Sequence, residues 1–376
     1  MTEPFVPPPY PYERLDEIKA IADGFDGGAV DLSIGTPTDP APPFVLTAMA
    51  ASDPRGYPPS IGTPEFRAAA SRWLERRLGV TVLAEDVRAC VGSKEFVAGL
   101  PRWLRLRQPE RDTVLYPAIS YPSYEMGAIL AGCRAVPVPC DDAWRLDLAA
   151  IDPSDAERAL CLWINSPGNP AGALEDLGAA ADWGREHAVP VFSDECYVEF
   201  TWDDAPRTIL THGADGVVAV HSLSKRSNLA GARAAFYAGD PGLVSYLGEV
   251  RKHAGLMVPH PVQAAAVAAL DDDGHVDAQR RIYEDRLHRG IDLLGQLGVP
   301  AAMPSGAFYL WVEAPSGDGW DLARRLASDA GIVTSPGEFY GEAGAGHVRL
   351  AMVGSDRSMA LVETRVSRGP AGAVGR

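Results

Sequence analysis

An apolar run, VAVHS, carries the chain into Lys225 at the end of the segment 218–225, and Arg233 follows eight residues later. A lysine placed just past a strand end can reach a ligand and add covalently to an aldehyde. Other residues with chemical potential stand at comparable places. Asp194 closes VPVFSD (189–194), and Tyr197 follows it within SDECY. Asn169 lies in NSPGNPAG (165–172), directly after the run ALCLWIN. Gly92, Ser93 and Lys94 lie in VGSKEF (91–96), Tyr121 in ISYPSY, and Arg349 in HVRLAM. The stretch Ser222–Lys225 is also a literal S-x-x-K, the signature of acyl-serine hydrolases, but the K-T-G and S-D-N elements that should accompany it do not occur in the sequence. Neither the eight histidines nor the five cysteines show metal-ligand spacing.

Pyridoxal phosphate is the commonest aldehyde cofactor held by a lysine, and it makes further demands. Its pyridine nitrogen needs a carboxylate, which Asp194 offers. Its ring hydroxyl needs partners, and Tyr197 and Asn169 can serve. Its phosphate needs donors: the backbone N–H groups of Gly92, Ser93 and Lys94 at a helix start, the hydroxyls of Ser222 and Ser224, and the fixed charge of Arg233. Its ring face needs a flat neighbour, which Tyr121 supplies. A bidentate guanidinium, Arg349, suits a substrate carboxylate. Asn169 precedes Pro170, so that peptide bond has access to the cis form.

These residues need elements to hold them at strand ends. TVLYP (113–117), CRAVPVP (133–139), ALCLWIN (159–165), VPVFSD (189–194), GVVAVHS (216–222) and AAFYAG (234–239) read as strands. Helical patterns alternate with them, among them 174–187 and, earlier, 64–79, which opens on Pro64 and stops at Gly79. This order predicts an α/β domain with a mostly parallel sheet flanked by helices on both faces, with ligands beyond the carboxyl ends of its strands. Later segments, 304–313 and 347–353, predict a smaller α+β domain. The expected organisation is an arm of turns over 1–45 joining the small domain, a large cofactor-binding domain over 46–265, and a small C-terminal domain over 266–376. A length of 376 residues is ample for two such bodies. The net charge of −16 argues against a nucleic-acid partner. No apolar run is long enough for a membrane span, and the proline-rich N-terminus does not read as a secretion signal, so a reduced cytoplasmic setting is the expectation.

Taken together, SIGTP, YPPSIGTPEFRAA, VGSKE, YPSY, NSPGNPAG, SDECY, SLSK with Arg233, PSGAFYLW and VRLA resemble the class I and II aminotransferases of fold type I, from about Asp31 to Arg349. The resemblance implies that Lys225 bears the cofactor and shuttles the proton between Cα and C4′. It implies that Asp194 partners N1 and that Asn169 and Tyr197 partner O3′. Tyr121 then stacks on the ring, while Ser93, Lys94, Ser222 and Arg233 cradle the phosphate. It further implies that Tyr57 reaches a phosphate in a second subunit, hence a homodimer, and that backbone at Gly35 joins Arg349 in gripping the α-carboxylate. A narrower likeness in HSLSKRSNLAG, 251–275 and GEFYG (337–341) is to actinobacterial N-succinyldiaminopimelate aminotransferases. That implies glutamate and 2-oxoglutarate as one pair, and N-succinyl-LL-2,6-diaminopimelate and its keto acid as the other. The sequence departs from the family pattern at Ala171, Ala232 and Ala235. A paralogue acting on another amino acid, or a lyase on the same fold, are the alternatives. Arg226, Lys252 and His253 are candidates by position for a distal anionic group.

Overall fold

The computed structural model describes residues 4–368. The chain divides into two compact units. One comprises Thr36–Asp285 with Pro304–Phe308. The other comprises the N-terminal residues to Gly35, Arg286–Met303 and the chain from Tyr309 onward.

The larger unit is built on a seven-stranded sheet. Its strands are β1 (Val87–Cys90), β2 (Thr113–Pro117), β3 (Arg134–Val138), β4 (Ala159–Asn165), β5 (Val191–Asp194), β6 (Val217–Ser222) and β7 (Ala235–Gly239). Their spatial order is β1-β7-β6-β5-β4-β2-β3. From β3 through β6 all neighbours are parallel, whereas β7 runs antiparallel to both β6 and β1. The direction of β7 and the existence of β1 escape the sequence reading. VRAC is short and carries an arginine, and a strand's direction depends on the connection preceding it rather than on its own residues.

Period-two alternation explains why this sheet is covered on both sides. Leu162, Ile164, Val191, Ala219 and Phe236 join one apolar core. Their neighbours Trp163, Phe192, Val218, Val220 and Tyr237 join the other. With both faces covered, the strands carry apolar residues at nearly every position. Replacing a fully buried aromatic such as Trp163 by alanine is expected to cost about 3–5 kcal/mol. On the first face, the helix Pro64–Leu78 contributes Phe66, Ala69, Ala70, Trp73 and Leu74, one apolar stripe at helical spacing. The Thr63 hydroxyl caps its start, and Gly79, at φ 66°, ends it. The next predicted helix begins at Leu177 rather than 174, because Asp176 accepts the Ala179 N–H and acts as N-cap.

In the smaller unit, Ser335–Pro336, His347–Ala351 and Tyr309–Glu313 form an antiparallel sheet. Val30–Asp31 pairs in parallel with Ile332–Val333. The first 45 residues are not an arm of turns alone. They hold a 3-10 turn at Pro11–Leu15, a helix at Asp16–Ala22 and the strand just named. The helix is short and buries only Ile18 and Ala22, too few apolar positions to reveal a period. Among the described residues, no helix is long and apolar enough to cross a membrane.

Candidate active site

Consecutive parallel strands of the larger unit deliver the chemistry-bearing residues at their carboxyl ends. Register pairs Asn165 of β4 with Asp194 of β5, and Asp194 with Val220 of β6. Beyond β6, Ser222 caps a one-turn helix, Leu223–Arg226, its hydroxyl accepting the Ser224 N–H at 3.1 Å. That turn aims Lys225 so that Nζ lies 5.9 Å from the centre of the Phe308 ring. The buried Tyr197 meets the same ring edge-on at 5.4 Å. Phe308 thus brings Lys225 and Tyr197 into one apolar-walled neighbourhood.

Asp194 receives two hydrogen bonds. The Tyr124 hydroxyl donates to Oδ2 at 3.0 Å, and the Cys196 N–H donates to Oδ1 at 3.2 Å. A part of Asp194 stays open to solvent, but the surrounding protein desolvates the carboxyl enough to raise its pKa, against the lowering by these bonds. Burial also holds the Tyr124 phenol well above its ordinary range, so it remains a donor. Sequence reading picks Tyr121 from ISYPSY and misses Tyr124. The available signal is the i, i+3 spacing at a helix start, which puts a second tyrosine on the sheet-facing side.

Asn165 joins the loop to the carboxylate strand. Its Nδ2 donates to the Asp194 carbonyl at 2.7 Å, and its Oδ1 accepts the Asn169 N–H at 2.7 Å. The Asn169–Pro170 bond is cis, as its sequence allows, and Ser166–Pro167 is cis as well. Asn169 is buried.

The segment Val91–Ser93 turns through Gly92, at φ 79°, into the helix Ser93–Arg107. A methyl group on Gly92 would collide with the guanidinium of Arg233. The close approach therefore demands glycine and sets Arg233 against this helix start. Arg233 is itself left-handed, φ 61°, and its Nη1 donates to Ala230 O at 2.9 Å. Lys94 reaches the other way: Nζ is 3.3 Å from the Tyr121 hydroxyl and 5.4 Å from its ring centre. Tyr57 lies apart on the surface, 93 % exposed.

In the smaller unit, Arg349 is 1 % exposed. Its guanidinium lies 4.2 Å from the Tyr309 ring centre and 4.7 Å from that of Tyr340. Nη2 donates to the Ser33 carbonyl at 2.5 Å and stands 3.4 Å from the Tyr12 hydroxyl. Gly35 backs onto the Tyr309 hydroxyl so closely that a side chain there would collide with it. Tyr309 is thus the spacer that keeps Gly35 and Arg349 together.

One positional expectation needs correction. Arg226 is no distal cation: it is buried, with Nε paired to Glu199 and Nη1 donating to Ala269 O at 2.8 Å. Lys252 pairs with its helical neighbour Glu249 at 2.8 Å. Behind Asp194, Glu195 is fully buried, accepts the Ile209 N–H at 2.8 Å and lies 3.4 Å from His221 Nε2. Desolvation lifts the Glu195 carboxyl to about 7 and lowers His221 to about 3.

A pyridoxal phosphate molecule suits these residues. A guanidinium sits against a loop that admits no side chain, amide donors open a fifteen-residue helix, and a desolvated carboxylate closes the neighbouring strand.

Residues 28–364 match the family model for aminotransferase class I and II. The chain is 41% identical over 370 residues to the 4-dedimethylamino-4-oxo-anhydrotetracycline transaminase OxyQ of Streptomyces rimosus, covering 96% of this chain and 99% of that protein. It is 35% identical to the LL-diaminopimelate aminotransferase of Desulforudis audaxviator, over 92% and 91% of the two chains. Its fold superposes with a TM-score of 0.84 on a probable N-succinyldiaminopimelate aminotransferase of Thermus thermophilus, at 30% identity and 95% and 99% coverage. Fold, strand-end chemistry and end-to-end likeness agree: the chain belongs to the class I and II aminotransferases, and it is a pyridoxal-phosphate-dependent transaminase.

Proposed function

We propose that this transaminase moves an amino group between glutamate/2-oxoglutarate and N-succinyl-LL-2,6-diaminopimelate/N-succinyl-2-amino-6-ketopimelate. The observation that carries the reading is the end-to-end likeness to the LL-diaminopimelate aminotransferase of Desulforudis and to the probable N-succinyldiaminopimelate aminotransferase of Thermus. The buried, aromatic-framed Arg349 supports an α-carboxylate as the shared handle of both substrates.

The residues divide the work as follows. When bound, pyridoxal phosphate supplies an aldehyde to carry the amino group and a ring to spread the electron pair left at Cα. Lys225 would hold the cofactor, and its amine would move the proton between Cα and C4′. Asp194 holds the proton at the ring nitrogen, and Tyr124 holds Asp194 in place. Asn169 and Tyr197 address the ring hydroxyl, and Tyr121 covers the ring. Ser93, Lys94, Ser222, Ser224 and Arg233 serve the phosphate. The exposed Tyr57 serves the phosphate of a second copy, in a cytoplasmic homodimer.

OxyQ, 41% identical along its whole length, favours a second reading in which the acceptor is a ketone of specialised metabolism. Titrating purified enzyme with N-succinyl-LL-diaminopimelate while recording the visible spectrum tests the first reading. Conversion of the lysine-bound cofactor band to the pyridoxamine form, matched by glutamate, is expected. A band that responds to glutamate but not to the succinylated substrate overturns the diaminopimelate assignment and leaves the ketone reading.

A further inference from the structure

Glu95 poses an electrostatic puzzle. It is the third residue of the helix Ser93–Arg107, and a carboxylate in a first turn competes with any external anion for the same positive helix end. Yet Glu95 is fixed there. Its Oε2 accepts the Val91 N–H at 3.2 Å, which clasps the turn through Gly92. Arg251, 156 positions away on the helix Pro241–His253, grips the same carboxylate with two bonds, Nη1 to Oε1 and Nη2 to Oε2, both 2.7 Å. Arg251 is 1 % exposed, and its guanidinium lies 5.5 Å from the Phe96 ring centre and 5.8 Å from that of Tyr237. A guanidinium buried this deeply and spent on Glu95 has no route to solvent. What it does is cancel the Glu95 charge while leaving the carboxylate oxygens in place as a clasp.

We propose that Glu95 and Arg251 form a positioning pair for the phosphate end of the cofactor site. Glu95 shapes the Val91–Ser93 turn, and Arg251 neutralises it so that the helix start stays receptive to a phosphate dianion. The proposal rests on the reading of this turn and Arg233 as the phosphate cradle. Its consequence is selective: the pair bears on the phosphate and not on the aldehyde ring.

The test uses the full-length apo-protein, titrated by absorbance with pyridoxal phosphate and separately with pyridoxal, which lacks the phosphate. Arg251→Met uncovers the Glu95 charge and is expected to weaken pyridoxal phosphate on the order of tenfold while leaving pyridoxal unchanged. Glu95→Gln keeps an oxygen for the Val91 N–H and is expected not to weaken pyridoxal phosphate. The decisive variant is the double one, Glu95→Gln with Arg251→Met, which is expected to recover most of the lost affinity. A double variant as weak as Arg251→Met, or equal losses for both ligands, overturns the proposal in favour of a merely structural pair. If Arg251→Met does not fold, inorganic phosphate as a competitor of cofactor binding to Glu95→Gln gives the same information. Competition stronger than or equal to wild type is expected, and weaker competition overturns the proposal. A wild-type protein that binds pyridoxal as tightly as pyridoxal phosphate overturns the cradle reading itself.

Discussion

Tyr124 donates its hydroxyl hydrogen to Oδ2 of Asp194 at 3.0 Å, across 70 positions of sequence. The helix Ser123–Leu130 packs against β2 and β3, and this packing brings the phenol up to the end of β5. The bond opposes the desolvation that raises the Asp194 carboxyl, and so favours the ionised form that the proposed pairing with a protonated ring nitrogen would require.

Tyr124→Phe removes that bond without removing the ring. The Asp194 pKa is expected to rise further, and the acid limb of the kcat/KM profile to move to higher pH. A neutral donor lost to a charged acceptor is worth about 1.5–3 kcal/mol, a fall of about 10- to 150-fold in kcat/KM. Steady-state kinetics from pH 5 to 9 checks this. An unmoved acid limb shows that the bond does not bear on the reacting ring.

Lys225→Ala is expected to abolish turnover, by ~1000-fold or more, with the far-ultraviolet circular dichroism unchanged. The short turn that carries Lys225 is held by the Ser222 cap and by the Leu223 N–H to Ala234 O bond, neither of which involves the lysine side chain. Transamination near the wild-type rate by this variant would remove Lys225 from the reaction.

Arg349→Lys trades a planar fork for a point charge between two tyrosine rings. KM for both glutamate and 2-oxoglutarate is expected to rise on the order of tenfold or more, with the bound cofactor's absorption band unchanged. Equal KM values for variant and wild type would show that the carboxylate is held elsewhere.

Glu195→Gln is a prediction about stability. The folded-state pKa of Glu195, about 7, lies above its ordinary 4.5, so folding favours the protonated form. Its contribution is complete below pH 4.5 and is lost as pH rises through 7. The amide never ionises and can still accept the Ile209 N–H. Relative to wild type, Glu195→Gln is therefore expected to gain stability between pH 5 and pH 8, by up to about 3 kcal/mol. Urea unfolding at the two pH values measures it. A stability difference that does not change with pH would mean that Glu195 is already ionised at pH 5.

Much of this protein is written locally. Apolar runs mark the central strands, Pro64 and Gly79 bound a helix, and Gly92 marks the turn before another. Such features depend on a residue's own conformational limits and on periods of two or 3.6, so a single chain displays them. Lys225, Asp194 and Asn169 are also visible as candidates, because each stands at or shortly beyond the end of a strand pattern.

Other features were decided by tertiary structure, because they depend on which distant segments meet. The antiparallel course of β7 follows from its connection to β6, not from its residues. Tyr124 is one of several aromatic residues in sequence and becomes the partner of Asp194 only through packing. Arg226 looks like a free cation beside Lys225, but Glu199 claims it in the interior, where an unpaired charge is too costly to keep. Glu95 reads as an ordinary first-turn carboxylate until Arg251 arrives from another helix. The sequence by itself determined the alternation of strands and helices and which residues are able to do chemistry. Only the fold decided which of those residues are partnered, buried or charged, because pairing and desolvation are properties of contacts between segments far apart in the chain.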